Sequence, residues 1–172
     1  MVFDKTPLGR EQADAILTKW LGRPVNCESM QRLHGGMVNS VLRLDFDADP
    51  FTAVIKVSSS IGRGTFHGEA AALRYLRDEA GFCVPLPLLC ESDGETIPLS
   101  FLLLEFMPGC NLGEAPLRAF DRARIDRQMA DVLADLHEHR RGTYGRAAGP
   151  ETEGEGRWVD VFGPMIRDNY AA

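Results

Sequence analysis

Residues 51–57, FTAVIKV, are strand-forming residues with a single lysine among them. A chain carrying this run must either lift Lys56 to solvent or set an anion against it, because a buried, unpaired ammonium is costly. Side chains alternate along a strand, so Thr52, Val54 and Lys56 share one face. Downstream, TFHGEAAALRYLRDEAG (65–81) has helical spacing, with a threonine available as cap and a glycine at its end. On that helix Glu69, Ala72, Leu73 and Leu76 line up one above another. Leu73 and Leu76 must pack on the sheet, which carries Glu69 to the same inner face. These two residues alone leave two arrangements open. One is an inward ion pair; the other is an exposed edge-strand lysine with an exposed helix glutamate.

The neighbouring segments supply the frame. TPLGREQADAILTKWLG (6–22) is expected to be a helix starting at Thr6-Pro7 and closing at Gly22, with Ala13, Ile16, Leu17, Trp20 and Leu21 on its apolar face. The period then changes, and CESMQRL, VNSVLRLDF and FTAVIKV are expected to be strands. His34-Gly35-Gly36 lies between the first two, and DADP joins the second to the third. PLPLLCES and LSFLLLEF are two further strands around an Asp93-Gly94 turn. MPGCNLGEAP has the composition of a linker. Beyond it, RAFDRARIDRQMADVLADLHEHR places Ile125, Met129, Val132, Leu133 and Leu136 on one helical face. WVDVFGPMIRDNYAA repeats that spacing with Trp158, Val161, Phe162, Met165 and Ile166, and Pro164 is expected to kink it. The expected fold class is α+β: a five-stranded, mostly antiparallel lobe with one inserted helix, then the start of a helical lobe. The expected boundaries are 1–107, a linker over 108–116, and 117–172.

Composition narrows the function classes. A net charge of −6 disfavours a nucleic-acid surface, which shows a basic stripe. PLSFLLLEF is the longest apolar run and falls short of the roughly 18 residues of a membrane helix. The start of the chain does not read as a secretion signal. Cys27, Cys83, Cys90 and Cys110 are scattered without a close pair, which points to free thiols in a reducing, cytoplasmic setting rather than a structural zinc site.

Three other candidates carry little. DFDAD (45–49) alternates carboxylates like a calcium loop, but Pro50 stands where that loop needs glycine. His137 and His139 flank Glu138 at a helix end, where cations suit the dipole, and too few further ligands lie nearby for zinc. Trp158 and Phe162 fit packing better than a ligand cage. No metal site is expected in this chain.

The order of glycine loop, strand lysine, helix glutamate, apolar strand, linker and helical lobe resembles the protein-kinase-like fold. In detail it is most similar to the aminoglycoside phosphotransferase and choline kinase-like family, including fructosamine-kinase-like proteins. LHGGMVNSVLRL, AVIKV, GEAAALRYLR, VPLPLL, FLLLEFMPG and LADLHEHRRGTYG carry the resemblance, over about residues 30–145. It implies that Lys56 holds the α- and β-phosphates of ATP and that Glu69 orients Lys56. It implies a phosphate-covering loop of Gly35, Gly36, Asn39 and Ser40, although this loop departs from the G-x-G-x-x-G pattern. Val54 would cap the adenine with Val41 beside it, and Leu104 would close the back of the pocket. The carbonyl of Glu105 and the amide of Met107 would read the adenine edge.

The same resemblance requires an H-x-D motif, an asparagine five residues after its aspartate, and a later metal-binding aspartate. Histidines stand at 34, 67, 137 and 139, and none has aspartate two positions on. No aspartate is followed five residues later by asparagine. A general base contributes roughly 10²–10⁴-fold, so this chain is expected to bind nucleotide better than it turns it over. The implied whole is an ATP- and Mg2+-dependent kinase acting on a hydroxyl of an aminoglycoside, amino sugar or fructosamine-like acceptor, of which this chain is the N-terminal part. The alternative is a non-catalytic half-kinase that binds nucleotide or a protein partner. In either case the apolar residues of 158–166 are expected to seek a partner, self-association included.

Overall fold

Thr52–Ser58 is the central strand of a five-stranded sheet in the computed structural model, which describes residues 8–33, 39–59, 65–110, 112–113, 115–139 and 157–170. The strands are β1 (Cys27–Arg32), β2 (Ser40–Phe46), β3 (Thr52–Ser58), β4 (Pro87–Glu91) and β5 (Ser100–Glu105). Their order in the sheet is β1-β2-β3-β5-β4, and every pairing is antiparallel. The helices are α1 (Arg10–Leu21), α2 (Thr65–Arg74), α3 (Ala119–Glu138) and α4 (Trp158–Tyr170). The chain divides into two compact units, Met1–Met107 and Pro108–Ala172.

Strand alternation gives the sheet two different faces. On β2 and β3, Leu42, Leu44, Phe46, Ala53, Ile55 and Val57 are buried, and with Phe101 and Leu103 they form one core with Ala13, Ile16 and Leu17 of α1. Trp20 of α1 meets Phe46 edge-on, with ring centroids 6.1 Å apart. Each fully buried aliphatic side chain here is worth about 1.5–3 kcal/mol. The opposite face carries Leu102 and Leu104, covered by Phe66 and Ala70 of α2, with Val54, Leu73 and Cys90 packed around them.

Two helix ends differ from the expectation. The first helix begins at Arg10 rather than at Thr6-Pro7, which lie outside the described residues. Gln12 closes its first turn by accepting the Gly9 amide at 2.8 Å, so the cap is supplied from inside the helix. The α-helical part of 65–81 ends at Arg74 and continues as a π-helical turn, Tyr75–Glu79. Gly81 follows with φ of 71°, a left-handed stop that suits glycine.

Of the second unit, α3 leaves Met129, Val132 and Leu133 about half exposed, at 52%, 51% and 51%. In α4, which runs through Pro164, the rings of Trp158 and Phe162 lie tilted at 32° with centroids 5.2 Å apart.

Candidate functional site

Lys56 is fixed from both sides. Its strand pairs with β2 and β5, so that Val41 and Leu102 stand opposite it. From this position the ammonium reaches α2, where Nζ lies 2.6 Å from Glu69 Oε1 and 2.7 Å from Oε2. Phe66, one helical turn before Glu69, seats the helix on Leu102 and Leu104 and brings its ring centroid to 5.9 Å from Nζ. Both charged side chains remain partly open to solvent, at 22% and 36%, so the pair itself contributes about 1 kcal/mol or less. An ammonium has three donors. Glu69 engages it through two oxygens, which leaves donor capacity for a further anion from the open side.

The other predicted residues fall around this pair unevenly. Val41 and Val54 are half-buried on the Lys56 face, and Leu104, opposite Val54, is 7% exposed. Asn39 lies at the bend before β2. Ser40 sits on the opposite face, buried, and its hydroxyl finds no hydrogen-bond partner among the described residues. Gly35 and Gly36 lie outside the described residues. Glu105 ends β5 and Met107 follows, 41% exposed.

Glu105 does more than its position in the chain suggested. Its Oε2 accepts Arg77 Nη1 at 2.6 Å and the Leu86 amide at 3.1 Å. The hydrogen bond from Arg77, then that from Leu86, holds its carboxyl below the usual carboxylate range. Two open cavities, each of about 350 Å³, flank this residue. One is lined by Pro50, Thr52, Leu86, Leu88 and Phe106 with Glu105, the other by Arg77, Gly81, Phe82, Cys83, Val84 and Met107 with Glu105. Lys56 and Glu69 line neither of these two.

A second polar cluster shares the Lys56 face and was not found from the sequence. Arg43 Nε and Nη2 both donate to Asp45 Oδ1 at 2.8 Å. Asp45 also accepts Ser29 Oγ at 2.7 Å and Thr52 Oγ1 at 3.1 Å, and the Ser29 bond is the main reason its carboxyl is held low. The two-residue spacing of Arg43 and Asp45 on one strand was the available signal. Among the described residues no group of three His, Cys, Asp or Glu is placed to hold a metal ion, and no helix is long and apolar enough to cross a membrane.

The model of the phosphotransferase enzyme family matches residues 29–160, more than half of the sequence. The chain belongs to that family. Two solved structures are similar to this phosphotransferase-family chain. One is a candidate fructosamine-3-kinase from Haemophilus somnus 129PT, with 21% identity and a TM-score of 0.56, over 88% of this chain and 50% of that one. The other is a candidate aminoglycoside phosphotransferase from Ralstonia eutropha JMP134, with 18% identity and a TM-score of 0.59, over 96% and 48%. At these identities the likeness shows the fold, which is kinase-like. The phosphotransferase-family chain spans about half the length of both. No curated protein matches it.

Proposed function

We propose that this chain is the nucleotide-binding part of an ATP-dependent small-molecule kinase. The observation that carries this reading is the contact of Lys56 Nζ with both oxygens of Glu69, 2.6 and 2.7 Å away, on a strand and helix of a kinase-like fold. Lys56 holds the α- and β-phosphates, and Glu69 keeps its ammonium from swinging to solvent. Val41, Val54 and Leu104 give the base its apolar walls, and the backbone of Glu105 and Met107 reads its edge. Gly35, Gly36 and Asn39 belong to the segment expected over the phosphates, whereas Ser40 begins β2 with its side chain buried on the opposite face. ATP supplies the phosphoryl group, which passes to a hydroxyl of an aminoglycoside, amino sugar or fructosamine-like acceptor. The names of the two similar structures support that acceptor class. The described residues lack a carboxylate set suited to Mg2+, so no step is assigned to the metal here.

On this reading residues 1–107 are the nucleotide-binding lobe, 108–116 the linker, and 117–172 the beginning of the helical lobe. The scattered thiols Cys27, Cys83, Cys90 and Cys110 are free, which suits a reducing, cytoplasmic setting. The test is the thermal stabilisation of the chain by Mg-ATP, compared with that of Lys56→Met. A large shift for the parent chain and little for the variant is expected; equal shifts would remove the phosphate role of Lys56.

A second reading is a half-kinase that binds without catalysis. Its support is the half-exposed apolar side chains of α3 and α4, which call for a partner or a second copy. Nucleotide binding without any phosphoryl transfer to these acceptor classes, in the presence of Mg2+, would favour it.

A further inference from the structure

Arg43 reaches across the sheet. It stands opposite Val54, and Val54 in turn stands opposite Leu104, so two strand spacings, about 10 Å, separate its backbone from β5. Its guanidinium carbon nevertheless lies 4.7 Å from the ring centroid of Phe106, the residue between Glu105 and Met107. Leu42 and Leu44 occupy the α1 face of β2, so Arg43 makes this crossing on the face that carries Val54 and Lys56. The side chain is also held along its edge: Nε and Nη2 bind Asp45 at 2.8 Å. Asp45 is anchored by Ser29 of β1 and Thr52 of β3, so three strands fix the guanidinium. A surface arginine needs no such support. Nη1 has no hydrogen-bond partner among the described residues, and the group is planar, charged and 35% exposed.

We propose that Arg43 is a nucleoside-binding residue: with Phe106 it forms the flat wall against which the base lies between Val54 and the Glu105–Met107 backbone. The inference rests on the nucleotide reading above and deepens it. It divides recognition between two positions on one sheet face, with Lys56 serving phosphate and Arg43 serving the heteroaromatic ring. Planarity matters as much as charge, because guanidinium stacks on a π-system where a lysine ammonium does not offer a matching plane.

The experiment is calorimetric titration of the 172-residue chain with ATP, adenosine and inorganic tripolyphosphate, repeated for Arg43→Ala, Arg43→Lys and Lys56→Met. Both Arg43 variants are expected to lose roughly three- to tenfold in affinity for adenosine and ATP, and to bind tripolyphosphate as the parent does. Lys56→Met is expected to do the reverse for adenosine and tripolyphosphate. Arg43→Lys keeps the charge and most of the stem, so it guards against a simple folding defect. If Lys56→Met changes neither ATP nor tripolyphosphate binding, the nucleotide reading falls and takes this inference with it. If Lys56→Met behaves as expected while adenosine binding ignores both Arg43 variants, only the inference falls. Equal losses of adenosine and tripolyphosphate in the Arg43 variants would also overturn it.

Discussion

Arg77 Nη1 and Glu105 Oε2 lie 2.6 Å apart, joining the π-helical turn beyond α2 to the last residue of β5. The helix that carries Glu69 and the segment expected to read the base are therefore tied together at a point remote from Lys56. The bridge is exposed on both sides, so the charge pairing alone is worth little. Its carboxylate, however, also takes the Leu86 amide.

Removing each partner separates these contributions. Arg77→Ala is expected to cost less than about 1 kcal/mol. Glu105→Ala should cost about 1 kcal/mol more, because the Leu86 amide loses its acceptor. Urea denaturation of the two variants checks this; equal costs would mean that the bond to Leu86 adds nothing.

The two faces of the sheet should respond differently to equally mild core changes. Phe66 is 1% exposed and Ile16 is fully buried. Ile16→Val and Phe66→Leu are each expected to cost about 0.5–1.5 kcal/mol. Only Phe66→Leu disturbs the seat of α2 above Lys56, so only it should weaken Mg-ATP binding. Titration of both variants well below their melting temperatures decides the matter, and matched affinities would count against a role for α2 in the site.

Glu91 gives a pH dependence with a definite sign. It is 5% exposed and accepts Lys19 Nζ at 2.6 Å, the Thr96 amide at 2.6 Å and Thr96 Oγ1 at 2.7 Å. Burial pushes its carboxyl up, but the bonds from Lys19 and Thr96 outweigh this and hold it below its ordinary value near 4.5. A carboxyl depressed in the folded state contributes stability in full above its unfolded value, and that stability is lost as pH falls through the folded value. The loss should begin as pH drops past about 4.5. Glu91→Gln removes the titrating group, so it should be less stable than the parent at neutral pH and show a shallower decline in acid. Parallel acid limbs for the two proteins would assign the decline to other groups.

The exposed apolar side chains of the second unit predict association. Leu133→Glu combined with Ile166→Glu, at positions 51% and 46% exposed, should lower concentration-dependent self-association in sedimentation runs. The melting of the Met1–Met107 unit should change by no more than about 0.5 kcal/mol, as for ordinary surface substitutions. A parent chain that stays monomeric over the same concentrations would argue against the half-kinase reading with a self-partner.

The strands were readable in advance because they follow from a short period. Alternation puts Lys56 with Val54 and helical stacking puts Glu69 with Leu73, which leaves an inward pair as one of two arrangements; the family resemblance is what implied the pair. What was missed depends on register. Ser29 and Thr52 reach Asp45 only because β1 and β3 pair with β2 at Asp45, and nothing in the spacing of these residues fixes that alignment. Arg43 meets Phe106 only because β5 lies next to β3, with β4 outside it. Lys19 and Glu91 stand 72 residues apart in the sequence, and their bond depends on where α1 crosses the sheet. The start of α1 was misplaced for a local reason: the Thr-Pro signal at 6–7 competed with Gln12, whose side chain binds the Gly9 amide.

Because β3 is third of five strands, its amides are shielded on both edges, and those around Lys56 should rank among the slowest in the protein to trade hydrogen for deuterium. Glu69 rides on a helix seated chiefly by Phe66 and Ala70. The two halves of the pair are therefore held unequally: the backbone of Lys56 is bonded on both sides within the sheet, while that of Glu69 depends on the packing of one helix.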